Sequence, residues 1–536
     1  MCRRSCILIL LTLQIYTAFT QNQADTITII KQYSINQETK LPVETSFDTS
    51  YFRIMEYNPI YYNSFTNTFL GNTGQAYLNN IFFQRIENDP FLFANSYKAY
   101  LYNPYKTNHY NTRKPFTELR YLTSGTREDS EQILYALHTQ NINEYANIGF
   151  IYDLIASKGI YPDQSVGNNR VNVFGSYDKN NYSIYASANF NTLKYQENGG
   201  IQNLDEFLEE GGEGINNRVF LQDADSRLKY YSWFFTQKIE LDLNNQDTLS
   251  SQIQAPDSLD LLNNIRDSLI INGQNKNTIA LQHTANLNRY VRLYSDNISD
   301  TDTLGFYQND YYLINSVQDS SFYQNLLNRV DLSIKFGNGT QELRAYGKHE
   351  LKIFSYIRPA ETSYEFNGSQ VDTVVKEFER KVFNDISVGG VFHGNLENWE
   401  YKAKGFFYLT GYRQTDLKLS GEFTRYFSGK TRKLTLTGSL SSLKPDFFFM
   451  NYGSKHFVWN NDFRNIDNIE ARLDYRGARS FDLTLAVNYF TGYTFFNDQA
   501  LPEQKSDEMF VSSALFRKQF NWGPFHHIHK ILIQNS

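Results

Sequence analysis

The residues of this chain best placed to do chemistry are charges that alternate with apolar side chains. Residues 469–476 read Ile-Glu-Ala-Arg-Leu-Asp-Tyr-Arg. On an extended strand successive side chains point to opposite faces. Glu470, Arg472, Asp474 and Arg476 therefore share one face, and Ile469, Ala471, Leu473 and Tyr475 the other. The next segment repeats the pattern, with Asp482, Thr484, Ala486 and Asn488 opposite Leu483, Leu485, Val487 and Tyr489. In a membrane strand such charges must face water, because a charge on the lipid face at the midplane costs about 2–4 kcal/mol. Glu470, Arg472, Asp474, Arg476, Asp482 and Asn488 are thus candidate lumen-lining residues that would set ion selectivity. The same ladder would also serve as a cross-strand salt lattice filling an interior, and the two roles are compatible.

Other constellations carry less. On a strand His527 and His529 share a face and His526 does not; two ligands are too few for a closed metal site. Asp296, Asp300 and Asp302 offer oxygens for calcium, but not at EF-hand spacing, and read as a solvated outer loop. Asp205, Glu206, Glu209, Glu210 and Glu213 surround Gly211, Gly212 and Gly214 and read as a charged loop. His138 with Ser124 or Ser130 could supply a pair for a barrel enzyme. The chain has no Gly-x-Ser-x-Gly elbow, His-Glu-x-x-His or phosphate loop, so no catalytic residue, metal or cofactor is assigned.

The elements that must position the ladder are strands. Period-two alternation recurs in Val330 to Phe336, Leu417 to Phe423, Leu434 to Leu440 and Tyr182 to Phe190. Strands are predicted near 117–125, 131–140, 145–157, 170–178, 181–192, 229–242, 277–294, 328–337, 341–356, 383–394, 399–411, 415–427, 431–442, 467–476, 480–492 and 508–520. Many have the roughly 9–11 residues that a tilted strand needs to cross a bilayer. Tight Gly- and Asn-rich turns fall at 178–181, 337–339, 396–398, 428–430 and 477–479, where positive φ is needed. Long polar connections are expected at 193–228, 243–276, 295–327, 357–382, 443–466 and 493–507. Short turns on one side and long loops on the other is the organisation of an outer-membrane barrel. Aromatic clusters at strand ends, such as Trp233-Phe234-Phe235 and Phe447-Phe448-Phe449, are expected at the lipid interface.

Composition agrees. Forty Tyr and forty-two Phe enrich the chain in strand-forming aromatics. A mean hydropathy of −0.52 is too polar for a helical membrane protein, and a net charge of −6 gives no electrostatic case for nucleic acid. Arg3 and Arg4, the apolar run Ile7 to Leu13, and Ala18-Phe19-Thr20 predict a secretory signal over 1–20. Cys2 and Cys6, the two cysteines of the chain, would leave with it. Stability must then come from a continuous hydrogen-bonded architecture, and in lipid only a closed barrel meets that need without helices.

Several stretches carry a family resemblance: Leu70-Gly71-Asn72-Thr73-Gly74, Lys114-Pro115-Phe116-Thr117-Glu118-Leu119-Arg120-Tyr121, His138-Thr139-Gln140-Asn141 and Glu197-Asn198-Gly199-Gly200-Ile201. In these the chain resembles the putative porin family of Gram-negative bacteria. The resemblance implies location and architecture more firmly than transport, and brings no catalytic residues with it. The expected fold is all-β: a transmembrane antiparallel barrel of roughly 16 or more strands. Residues 21–115 are expected to form an N-terminal periplasmic segment and first barrel elements, and 116–536 the barrel. The last residues, Lys530 to Ser536, do not finish on a terminal aromatic, so further strands are expected beyond them. The expected function is passive diffusion of small polar solutes or ions through a porin-like channel. The alternative is a plugged barrel acting as a receptor, adhesin or carrier of hydrophobic ligands. Expected partners are outer-membrane lipid, lipopolysaccharide, the barrel assembly machinery and small solutes.

Overall fold

The computed structural model describes residues 30–47, 57–62, 64–85, 90–126, 130–209, 218–243, 277–297, 306–307, 309, 311, 316–366, 369–477, 481–523 and 525–536. The signal at 1–20, Asp300, Asp302 and Glu210 to Gly214 lie outside these residues.

The first described part forms small elements: β1 (Ile30–Ile35), β2 (Pro42–Thr45), β3 (Asn67–Phe69), β4 (Tyr77–Asn79), a 3-10 helix Leu92–Tyr100 and β5 (Asn108–Thr112). Strands β2, β1 and β5 make a three-stranded antiparallel sheet, and β3 pairs with β4.

The wall follows. Its strands are β6 (Phe116–Ser124), β7 (Glu131–Asn141), β8 (Ala146–Ser157), β9 (Val166–Lys179), β10 (Tyr182–Gln196), β11 (Ala224–Asp242) and β12 (Thr278–Asn297). They continue with β13 (Ser316–Phe336), β14 (Gln341–Phe366), β15 (Ser369–Leu396), β16 (Trp399–Thr410), β17 (Leu417–Phe427) and β18 (Arg432–Leu443). After a small hairpin, β19 (Asn451–Gly453) with β20 (Val458–Asn460), come β21 (Ile466–Arg476) and β22 (Phe481–Thr491). A second hairpin, β23 (Thr494–Phe496) with β24 (Pro502–Gln504), precedes β25 (Met509–Trp522) and β26 (Phe525–Asn535). The wall is one 17-stranded antiparallel sheet in which each strand pairs with the next wall strand along the chain. The ring order brings β26 back beside β6. No residue-by-residue register joins that pair among the described residues.

Alternation decides which face is which. Ile469 (53% exposed), Leu440, Leu332, Leu343 and Val388 are large, apolar and exposed on the outer face, whereas the inner face of the same strands is polar. An apolar band carried by strand after strand is far beyond the patches a soluble protein exposes. It is what lipid contact requires, and closing the backbone hydrogen bonds within the sheet is what makes that contact affordable. Among the described residues no helix is long and apolar enough to cross a membrane.

The two ends differ. Tight turns connect β9–β10, β13–β14, β15–β16 and β17–β18 at one end. At the β13–β14 turn Gly337, Asn338 and Gly339 all have positive φ, which glycine and asparagine tolerate best. Longer connections, including 443–466, lie at the other end. Three expectations about the connections change. The stretch 357–382 is not a loop: β14 and β15 stay paired from Ile357↔Phe378 to Phe366↔Ser369. Residues 316–327 likewise belong to β13. Apolar and polar residues do not alternate regularly along these stretches, so nothing in the sequence marked them as strand. Finally, the connection 243–277 joins β11 to β12 at the tight-turn end rather than with the long loops.

Candidate functional site: a lumen filled by the N-terminal segment

The described residues between 30 and 112 contribute no wall strand. They lie against the inner face and touch strands from β7 round to β26. On β8 and β9, Asn72 Nδ2 donates to Ser157 Oγ (3.0 Å) and Thr107 Oγ1 accepts from Asn172 Nδ2 (2.9 Å). On β10, Asn191 and Tyr102 exchange two hydrogen bonds through the Tyr102 backbone (2.8 and 3.0 Å). On β12 and β13, Gln282 Nε2 donates to the carbonyls of Thr39 (3.1 Å) and Lys40 (3.2 Å), and Arg329 Nη1 to that of Glu38 (2.9 Å). On β22 the Phe82 ring meets Phe490 edge-on at 5.7 Å, and on β26 Gln534 accepts from the Phe82 amide (2.9 Å). A segment held from so many strands of one ring is a plug.

Three layers make up the interface. Toward the long-loop end lies an aromatic septum. Tyr230, Tyr290, Tyr323 and Phe354 are direct cross-strand neighbours on β11 to β14, the first two stacked at 4.2 Å. From the plug, Phe91 stacks on Tyr290 (5.3 Å) and Tyr97 on Tyr195 (4.6 Å). The helical turn Phe447–Met450 folds in from the connection after β18, and Phe447 stacks on Phe354 (4.3 Å). Phe447 to Phe449 therefore do not sit at the lipid interface: all three are buried inside. The reason is that their loop turns inward and finds a larger apolar partner in the plug than the rim offers.

The second layer is neutral and polar. Asn168, Asn172, Asn189, Asn191 and Ser232 are fully buried between wall and plug. Asn172 Nδ2 donates to Asn189 Oδ1 (2.6 Å), and Asn189 Nδ2 to Ser232 Oγ (2.9 Å). The third layer is ionic and lies on β13 to β16. Asp331 accepts two bonds from Arg329 (2.9 and 2.5 Å), with Arg344 at 3.7 Å. Lys348 pairs with Glu350 (2.7 Å) and Lys352 with Asp385 (2.7 Å). Charges buried this deeply need such partners.

The plug is lopsided. Most inner-face residues of β7 to β15 are buried, whereas several charged ones from β16 onward, such as Lys404, Arg472, Asp474 and Asp482, stay partly exposed among buried neighbours such as Thr424 and Val511. The ladder read from sequence lies in this wet half. Arg472 pairs with Asp474 (2.7 Å), which accepts from Thr484 (2.6 Å); Asp482 pairs with Arg517 (2.9 Å) and, more loosely, Arg476 (3.6 Å). Asn488 is buried and shares its face with Phe490, the residue on which Phe82 packs; Glu470 is half-buried. The structure thus sets Arg472 with Asp474 and Thr484, and Arg476 with Asp482 and Arg517, in two clusters, and leaves Asn488 nearer the plug. His527 and His529 lie with rings 4.4 Å apart on exposed β26. His138 bonds Thr117 (2.7 Å), not serine.

Residue pattern gave no sign of the plug's contact residues. One signal was present: Leu70-Gly71-Asn72-Thr73-Gly74 is a wall key. Thr73 takes both carboxylate oxygens of Glu131 through its amide (2.8 Å) and hydroxyl (2.9 Å). Gly74 has φ +99°, and a Cβ there would stand 2.7 Å from Val166 Cγ1.

Residues 29–536 match the family described as "Putative porin". No curated protein matches the chain significantly. Among solved structures, the siderophore receptor PirA of Acinetobacter baumannii superposes with a TM-score of 0.50 at 9% identity, over 80% of this chain and 64% of that one. The likeness is one of fold, and this chain spans somewhat less than two thirds of that receptor's length. The ferric enterobactin receptor of Pseudomonas aeruginosa (a mutant form) gives 0.46 at 10%, over 76% and 60%. The RagAB peptide importer gives 0.44 at 6%, over 76% and 50%.

Proposed function

The chain belongs to the putative porin family, and from that premise we propose that it is an outer-membrane transport barrel closed at rest, in which solute passes when residues 30–112 shift. Small polar solutes or ions would move along the wet half of the lumen, beside Glu470, Arg472, Asp474, Arg476 and Asp482. One observation carries the reading: the plug's contacts run from β8 round to β26, and the aromatic septum leaves Tyr323 and Phe448 essentially without solvent contact. Where these rings stand no aqueous path remains, which leaves the wet half, beside the plug, as the route that a shift of the plug would widen. The extended β14–β15 hairpin, paired out to Phe366↔Ser369, favours a second role in binding at the surface, as in a receptor.

The test is conductance in a planar bilayer. The folded protein should be silent and should open reversibly in urea too dilute to unfold the wall, because locally less stable units open first. A double variant T107C/N189C, joining plug to wall where the two side chains now touch at 3.2 Å, should stay shut when oxidised. Steady conductance of the untreated protein would overturn the closed-lumen reading.

A further inference from the structure

The tip of the plug hairpin, between β1 and β2, rests on two lysines. Lys402 Nζ lies 2.8 Å and Lys404 Nζ 3.1 Å from the same oxygen of Glu38, Oε2. The lysines are two apart on β16, so both point inward. In register, Lys402 faces His393 and Glu422 on the neighbouring strands, and Lys404 faces Val391 and Ser420. Glu400 is engaged elsewhere, by His393 (3.2 Å) and Tyr426 (2.6 Å). Among the described residues no carboxylate but Glu38 comes within ion-pair distance of either lysine. Glu38 fills the site imperfectly: its second oxygen, Oε1, is buried without a hydrogen-bond partner, and Ser420 Oγ, beside Lys404, is buried without one too. Burial alone would raise the Glu38 pKa, but the two lysines outweigh it and hold the carboxyl below its usual range.

We propose that Lys402 and Lys404 form a binding site for a carboxylate-bearing solute, and that Glu38 is a tethered occupant which such a solute displaces. A free carboxylate can turn to satisfy both of its oxygens, whereas Glu38 is fixed by its own backbone: its carbonyl is held by Arg329 and the next two by Gln282. Displacement would remove the ion pairs that Glu38 makes with the wall and leave those backbone bonds holding the tip. The gating half rests on the closed-lumen reading; the site itself does not.

Succinate is the probe. Its binding to the detergent-folded protein is measured by calorimetry, and tip motion by the mobility of a spin label at Q37C, an exposed position. Removing the competitor with Glu38→Gln should tighten succinate binding at least tenfold over the parent. K402M/K404M should abolish it. In the parent, succinate should mobilise the label; in K402M/K404M it should not. E38D serves as a second variant should E38Q fold poorly, and should bind succinate more tightly than the parent because its shorter side chain reaches less well. Equal affinity in parent, E38Q and E38D, or binding that survives K402M/K404M, overturns the site. Tightened binding in E38Q with an untreated protein that conducts freely would keep the site and refute the closed lumen.

Discussion

Phe448 is the side chain on which closure of the lumen turns most directly. It has no solvent exposure and stands between plug and wall: Phe91 at 5.5 Å and Phe93 at 5.2 Å on one side, Phe354 at 5.7 Å on the other. Its own backbone is anchored by Trp459 Nε1, which donates to the Phe448 carbonyl (2.9 Å). Phe448→Ala would leave that anchor and remove the ring. Burying and then deleting a phenyl group costs about 3–5 kcal/mol, and each lost aromatic pair is within that sum. Because the ring bridges plug and wall rather than two wall strands, the loss should fall on plug docking. At about 1.4 kcal/mol per factor of ten, the docked-to-released equilibrium should shift by roughly two to three and a half powers of ten. The assay is the urea dependence of bilayer conductance, with heat-modifiable gel migration reporting the wall. The midpoint for opening should fall sharply while the wall still folds. Ile469→Ala, on the exposed outer face, is the control and should leave it unchanged. An unaltered opening midpoint in a well-folded Phe448→Ala protein would refute the septum as the seal.

Asp331→Asn should leave Arg329 buried without its carboxylate partner, Arg344 keeping Glu342 at 2.7 Å, at a cost of about 3–5 kcal/mol; a plug-release midpoint equal to the parent's would contradict this. In intact outer membranes a water-soluble thiol reagent should label Arg472→Cys and not Leu473→Cys, and the reverse would show that β21 is turned the other way. Lys40, in the plug tip, has a pKa lowered to about 7 by burial, reinforced by Arg329 and Lys348. A released plug binds more protons than a docked one between that value and the ordinary lysine range, so docking should strengthen as pH rises above about 7. The opening midpoint in urea should climb over that interval in the parent and lose this climb in Lys40→Met.

Much of the wall was legible because lipid imposes a rule on sequence. Ile469, Leu473, Leu485 and Val487 must be apolar, their neighbours on the inner face need not be, and the resulting period of two can be read directly. Where the period of two fades, as along the ends of β13, β14 and β15 beyond Leu327, Tyr356 and Phe383, the stretch looked like loop. The interior was hidden for a different reason. Plug and wall meet through long-range pairs such as Thr107 with Asn189 or Gln282 with Lys40, and nothing local marks these residues as partners. Asn, Thr and Tyr facing a plug look the same in sequence as those facing water. The charged ladder was found because it alternates on one strand, whereas the two lysines holding Glu38 lie 364 and 366 residues away from it.

The junction of β5 with β6 has a mechanical consequence. The plug's last strand ends at Thr112 and the wall begins at Phe116, so Arg113, Lys114 and Pro115 form a leash about 10 Å long at full stretch. A displaced plug cannot drift off; it can swing only about this point, and the proline stiffens the pivot. The pivot is attached to β6, the strand whose far side has no registered partner. Any pull from the plug is therefore delivered first to β6, so departure of the plug and movement of the first wall strand are geared together, and a force applied to one should be felt at the other.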